Sequence, residues 1–301
     1  MPSAFVRQDQ PLPRGAASSA GTSGRPAFVL PPMRCRLASL AAGLLTIGCG
    51  GESAAPPSPD EPSSGAGRIA ESESSPSDRD VPRRRRTIGH SSTGRSLDLV
   101  QVGDPSSRSK VLVVGCIHGT ECEGIGVARR LERGPAPRSA QLSIVENLNP
   151  DGFAREIRQN ASGVDLNRNF PSEWRPLGVP FDQYHSGPRP LSEPETRAAA
   201  RLVRSLRPDL TIWFHQPEAR VRAFGPSVRA AREYARLARV AYDTVRWPPG
   251  SAPNWQNRRF PGTASFVVEL PVGSLAPSDA RRHVRAIREL ARQPLTLPAR
   301  R

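Results

Sequence analysis

The chain of 301 residues contains one lysine, Lys110, and only 5% aromatic residues. Its pronounced apolar stretch, between Met33 and Cys49, is too short to span a bilayer as a stable helix. No internal repeat is present, which excludes a repeat architecture. Few aromatics means few surfaces on which bases can stack, and no nucleic-acid-binding motif occurs. The net charge of +15 is therefore not read as a nucleic-acid signature. It comes almost wholly from arginines scattered along segments such as 197–207 and 229–239, a pattern suited to solvated helix faces or loose attraction to anionic membrane and wall polymers.

Composition also divides the chain. Residues 1–32 and 50–86 are dominated by Pro, Ser, Gly, Ala and charge, with little to bury, and are expected to be disordered. Between them, Met33 to Cys49 has a basic start, an apolar stretch and small residues before a cysteine, and resembles a bacterial lipoprotein signal peptide with Leu45-Thr-Ile-Gly-Cys49 as the lipobox. Thr46 departs from the commonest pattern. A signal belongs at the N-terminus, so Met33 is read as the true start and residues 1–32 as a mis-annotated extension; a buried hydrophobic helix or an internal membrane anchor is the alternative reading of the apolar stretch. Cys49 would then carry lipid and anchor an exported protein in the cell envelope. Residues 50–86 would be the tether, its Arg83-Arg-Arg-Arg86 block placed against anionic lipid or simply solvated. The packed domain is expected over residues 87–298. Cys116 and Cys122 remain after the signal and anchor cysteines are set aside; a bond between them and two free buried thiols both stay open.

The strongest chemical signal is Val111-Leu-Val-Val-Gly-Cys-Ile-His118-Gly-Thr-Glu121, an apolar strand that stops in His-x-x-Glu. Imidazole and carboxylate are usual ligands of a catalytic zinc, which takes three protein groups and keeps a position open. A third ligand is expected downstream. There, strands at residues 141–147, 210–215 and 264–270 alternate with helices at 124–132, from 192, at 227–241 and from 278. This alternation predicts an α/β sheet with helices on both faces. Ser192-Glu-Pro-Glu195 reads as a capping box with proline in the first turn. In such sheets the active crevice lies beyond the carboxyl ends of the strands. His215 and Glu269 fall at two such ends.

Asn149-Pro-Asp-Gly-Phe153, Gly163-Val-Asp-Leu-Asn-Arg-Asn-Phe-Pro171, His215-Gln-Pro217 and Phe266-Val-Val-Glu-Leu270 follow the first motif in order. Together these motifs resemble the zinc carboxypeptidase family across essentially the whole packed domain, and within it the compact bacterial branch that includes murein peptide amidases. The resemblance implies a single α/β domain with a mixed twisted sheet, the phosphorylase/hydrolase-like fold, and one Zn²⁺ per chain. It implies that His118, Glu121 and His215 are the metal ligands, Glu269 the general base, and Asp165 the acceptor that orients a ligand imidazole. It assigns Arg158 to the oxyanion and Asn167 and Arg168 to the terminal carboxylate of a peptide substrate. The expected activity is hydrolysis of a peptide bond next to a free carboxylate, on cell-wall peptides such as γ-D-glutamyl-diaminopimelate.

The chain departs from the family in having no tyrosine about twenty residues before Glu269; Trp247 and Trp255 occupy that neighbourhood. A cis bond is plausible at Gln216-Pro217. His90 and His283 are read as surface residues and His185 as a loop residue. Two other functions stay open: a zinc deacylase of N-acyl amino acids, similar to aspartoacylases and desuccinylases, and a non-enzymatic wall-binding lipoprotein.

Overall fold

The structure, a computed structural model, describes residues 82–135 and 139–293. The N-terminal extension, the signal with Cys49 and the tether as far as residue 81 lie outside the described residues, as does the expected end of the domain at 298. The chain divides into two units, Met1–Ile69 and Ala70–Arg301, and every described residue belongs to the second. No helix among the described residues is long and apolar enough to cross a membrane.

Runs of aliphatic and β-branched residues form the middle of one sheet. Its strands are β1 (Arg83–His90), β2 (Ser96–Val102), β3 (Ser109–Val114), β4 (Ala140–Val145), β5 (Leu210–His215), β6 (Glu218–Ala223), β7 (Ala241–Thr244) and β8 (Ala264–Pro271). They lie in the order β1-β2-β4-β3-β5-β8-β6-β7. Strands β4, β3, β5 and β8 are parallel, while β2 and β6 flank them antiparallel. Every residue of β4 and β5 is buried. Successive side chains point to opposite faces, so both faces of the sheet are covered there.

The cover comes from helices α1 (Gly124–Arg133), α2 (Pro150–Arg155), α3 (Pro194–Leu206), α4 (Val228–Ala238), α5 (Ala252–Arg259) and α6 (Pro277–Arg292). Helix α6 packs against α1 and α4, α3 against β1, and α5 against β8. The mixed sheet between helices is the expected architecture.

Four local expectations change. Strand β1 begins at Arg83, inside the segment assigned to the tether. Alternation explains it: Arg83 donates from Nε and Nη2 to the Glu132 and Gly134 carbonyls at 3.0 and 2.9 Å, satisfying the end of α1, and Arg85 pairs with Glu132 and Asp98. Half of the basic block is thus spent on the domain. The capping box does not form either. Helix α3 starts at Pro194, Ser192 Oγ donates to Glu193 at 2.7 Å, and the buried Glu195 accepts from the Ser92 N–H at 2.8 Å. Helix α4 stops at Ala238, capped by Arg239 in the left-handed region, and residues 241–244 become strand.

His283 is the fourth correction. It is 3% exposed, its ring stacked on Tyr234, whose hydroxyl lies 2.8 Å from His283 Nδ1. Burial lowers its pKa from 6.5 to about 4, with Arg282 adding to the effect. The folded state therefore binds fewer protons than the unfolded chain between pH 6.5 and 4, and stability falls as pH falls through that window. At 1.36 kcal/mol per pH unit the loss is at most roughly 3 kcal/mol. Chemical denaturation of His283→Gln at pH 7 and pH 4.5 should show a smaller loss of stability on acidification than the parent chain, and an equal loss would contradict this assignment.

Candidate active site

Strand register builds the site. His215 ends β5 and pairs directly with Glu269 on β8, so the two side chains stand side by side at the carboxyl edge of the parallel strands. Strand β3 runs next to β5, with Val114 opposite Trp213, and four residues further the chain delivers His118 to the same edge. Gly119 lets the turn close. A Cβ there would lie 2.1 Å from the Gly152 carbonyl carbon and 2.3 Å from the Ile157 oxygen, both backbone atoms that cannot move aside. Gly119 N–H also donates to the Arg158 carbonyl at 3.1 Å. Behind it, Asn149 caps α2 by accepting from Gly152 N–H at 3.0 Å and donates to the Arg158 and Gln159 carbonyls. The Asn-Pro-Asp-Gly motif is therefore the buttress of the His118 turn. Cys116 and Cys122 are joined by a disulfide that closes the same turn. The Gln216-Pro217 bond after His215 is cis.

His118, Glu121 and His215 each offer one ligand atom, and these atoms lie within 4.8 Å of one another. Glu121 Oε2 is 2.9 Å from Nδ1 of both imidazoles. The opposite nitrogen of His118, Nε2, lies 2.8 Å from Asp165 Oδ1. A proton on Nε2 leaves the Nδ1 lone pair free, which is what a metal ligand requires. Two imidazoles and one carboxylate, mostly buried and converging, fit zinc in donor chemistry and number. Burial opposes charge on Glu121 and Asp165, yet the neighbouring imidazoles hold both carboxyls well below the usual carboxylate range.

Asp165 is fully buried and makes three further hydrogen bonds, two accepted by its carboxylate and one donated by its backbone. Its Oδ1 takes the Asn167 N–H at 2.8 Å and its Oδ2 the Arg158 guanidinium at 3.1 Å; Asp165 N–H donates to the His185 carbonyl at 2.8 Å. Arg158 also pairs with Glu121. Burial pushes the Glu269 carboxyl above its ordinary range, Glu121 and Glu218 add to the rise, and His215 opposes it. Glu269 Oε2 has no hydrogen-bond partner among the described residues.

Asn167 and Arg168 line the same cavity, of about 250 Å³, but differ in availability. The Asn167 amide is occupied: Oδ1 accepts from Ala252 N–H at 2.9 Å and Nδ2 lies 3.4 Å from His215 Nε2. Arg168 has no carboxylate partner among the described residues. It donates to the Asn167 carbonyl at 2.9 Å, and its guanidinium lies 4.9 Å from the centre of the Tyr184 ring. Burial lowers its pKa, which marks a cation held partly out of water.

All eight residues expected at the site are thus gathered around one cavity, with Asp165 behind its wall. Trp247 lines it, whereas Trp255 packs into the core on Phe170 and Phe260. His185 is not among the lining residues. Sequence reasoning missed Tyr184, Glu218, Arg222 and Ser251, which also line the cavity. Only the polar alternation of 218, 220 and 222 could have signalled the second and third of them.

A convergent three-ligand cluster at the carboxyl edge of an α/β sheet, with an uncoordinated glutamate beside it, defines a metal-dependent hydrolase. Comparison with known proteins narrows the class. The zinc carboxypeptidase family model matches residues 136–264. The chain is 32% identical over 182 residues to murein peptide amidase A of Escherichia coli K12, covering 54% of this chain and 74% of that protein. The crystal structure of murein-tripeptide amidase from Escherichia coli O157 superposes with a TM-score of 0.58 at 25% identity, covering 72% of this chain and 95% of the other. Carboxypeptidase A from Helicoverpa armigera shares the fold, with a TM-score of 0.60 at 16% identity over 69% of this chain and 67% of its own. The chain belongs to the zinc carboxypeptidase family and is a zinc metallopeptidase.

Proposed function

We propose that the protein hydrolyses a peptide bond next to a free carboxylate, with cell-wall peptides of the γ-D-glutamyl-diaminopimelate type as substrates. The observation that carries the first half is Arg168. A half-buried guanidinium without a carboxylate partner is costly unless a ligand supplies one, and its planar fork donates two parallel hydrogen bonds to a carboxylate. The cell-wall substrate is supported by the likeness to the murein peptide amidases.

In this reading His118, Glu121 and His215 hold one zinc ion per chain. When bound, the zinc supplies a Lewis acid that polarises the scissile carbonyl and brings the pKa of water towards 7. Arg168 fixes the terminal carboxylate, which orients the bond over the ligand cluster. Glu269, which lines the cavity, takes a proton from the attacking water and delivers it to the leaving amine, a role suited to a carboxyl whose pKa is raised by burial. The Arg158 guanidinium, beside Glu121, stabilises the oxyanion as charge develops on the carbonyl oxygen. Asp165 keeps His118 in the tautomer that presents Nδ1 to the metal.

Two substitutions test these roles. Glu269→Gln should keep one zinc per chain by metal analysis and lower kcat by roughly 10²- to 10⁴-fold; undiminished turnover would remove the general base. Arg168→Ala should reduce the preference for a free-acid peptide over its amide by about 100-fold or more, the range expected for losing two charge-assisted hydrogen bonds. Equal losses on both substrates would remove the case for a carboxypeptidase.

A further inference from the structure

Part of the cavity lining is built by β6 and the segment that follows β7. Strand β6 pairs antiparallel with β8, placing Arg220 opposite Glu269 and Arg222 opposite Val267. Residues opposite each other share a face, and so do alternate residues of one strand. Val221 and Ala223 are buried on the other face, in the core, so β6 turns Glu218 and Arg222 toward the cavity, where both are lining residues. Val245, Pro248, Val267 and the indole of Trp247 supply the apolar part of the same lining.

The polar atoms on this wall are poorly satisfied. Arg222 Nη2 pairs with Glu218, but Arg222 Nε is buried and has no partner among the described residues. Trp247 and Ser251 also line the cavity, and Trp247 Nε1 and Ser251 Oγ are likewise buried and unpartnered among the described residues. Three donors in one cavity wall without an acceptor call for an anionic or strongly accepting group, since buried donors left unmatched cost free energy. This group is not the terminal carboxylate, for which Arg168 is already available on its own loop. Apolar side chains in the same cavity as a cation and an anion in contact are the complement of an aliphatic side chain with a charged end.

We propose that Arg222 and Glu218 form the specificity-determining pair of the cleft, Arg222 binding a carboxylate at the far end of the substrate's C-terminal side chain and Glu218 an ammonium on the same carbon. The inference rests on the proposed peptidase reading, because it assumes that the C-terminal residue enters this cavity. It makes selectivity depend on β6 rather than on the zinc site. The preferred residue has two amino-acid ends; loss of the distal carboxylate leaves Arg222 Nε unmatched, and loss of the distal amine leaves Glu218 with Arg222 alone.

Diaminopimelate, lysine and 2-aminopimelate separate these contributions, since lysine lacks only the distal carboxylate and 2-aminopimelate only the distal amine. Calorimetric titration of the zinc-loaded full chain with the three amino acids reads the pocket without any cleavage. meso-Diaminopimelate should bind at least tenfold tighter than lysine, Arg222→Met should erase that gap, and Glu218→Gln should erase the preference over 2-aminopimelate. Equal binding of diaminopimelate and lysine, or a gap that survives Arg222→Met, overturns the assignment. Glu218→Gln reads the pair independently should Arg222→Met fail to fold, which its thermal transition reports. Peptides ending in the same residues then divide the two ideas. Selective binding without cleavage of any free-acid peptide would refute the peptidase reading and leave the pocket assignment standing, while cleavage with equal kcat/KM for diaminopimelate and lysine ends would do the reverse.

Discussion

One buried carboxylate holds the site together. Asp165 accepts from the backbone of Asn167 and from the Arg158 guanidinium, and it faces the outer nitrogen of His118. Through these contacts it orients a ligand imidazole, pins the arginine that neighbours Glu121, and starts the short turn that carries Asn167 and Arg168. A buried anion is tolerated only when its lone pairs are filled, and Asp165 is filled by the groups whose positions the chemistry needs. Three parts of the cleft, which come from distant stretches of sequence, therefore share one acceptor.

The rest of the scaffold serves to bring those parts within reach. Parallel register sets His215 beside Glu269, and the glycine turn after β3 brings His118 to the same edge. The Cys116–Cys122 disulfide and the Asn149 cap hold that turn from two sides. A metal site built this way depends little on flexible loops, because each ligand is tied to a strand end or to a backbone hydrogen bond. The side facing the substrate is different. Arg168, Trp247 and Arg222 present donors that nothing in the described residues fully matches, so the cavity is organised around groups the substrate must bring.

The three candidate metal ligands and Glu269 were legible in sequence because they end or closely follow apolar strands: a histidine or glutamate at the end of such a run has few structural reasons to be there. Asp165, Arg158 and Arg168 were legible only through the order of several motifs, since a single arginine in so arginine-rich a chain carries no signal. What stayed hidden depends on contacts between remote segments. Arg83–Arg86 looks like linker until α1 supplies carbonyls for Arg83. His283 sits in a basic helix and looks exposed until Tyr234 packs over it. Ser192 and Glu195 have capping-box spacing, but Ser92 and Asn160 compete for Glu195 and win. Arg222 lies on a short strand near the sheet edge whose role emerges only when β8 pairs with it.

The dependence of the metal site on Asp165 can be measured directly by competing the protein against a chelator for zinc, with Asp165→Asn beside the parent chain. Asparagine is nearly isosteric, but with its oxygen placed to accept from Asn167 N–H and His118 Nε2 it offers the imidazole a neutral carbonyl in place of an anion, and its amide nitrogen meets the Arg158 guanidinium donor against donor. Partners of this kind typically contribute 10- to 100-fold in metal affinity. Zinc affinity should therefore fall by about that factor while the metal-free chain unfolds at a similar temperature. Unchanged zinc affinity in Asp165→Asn would contradict the account.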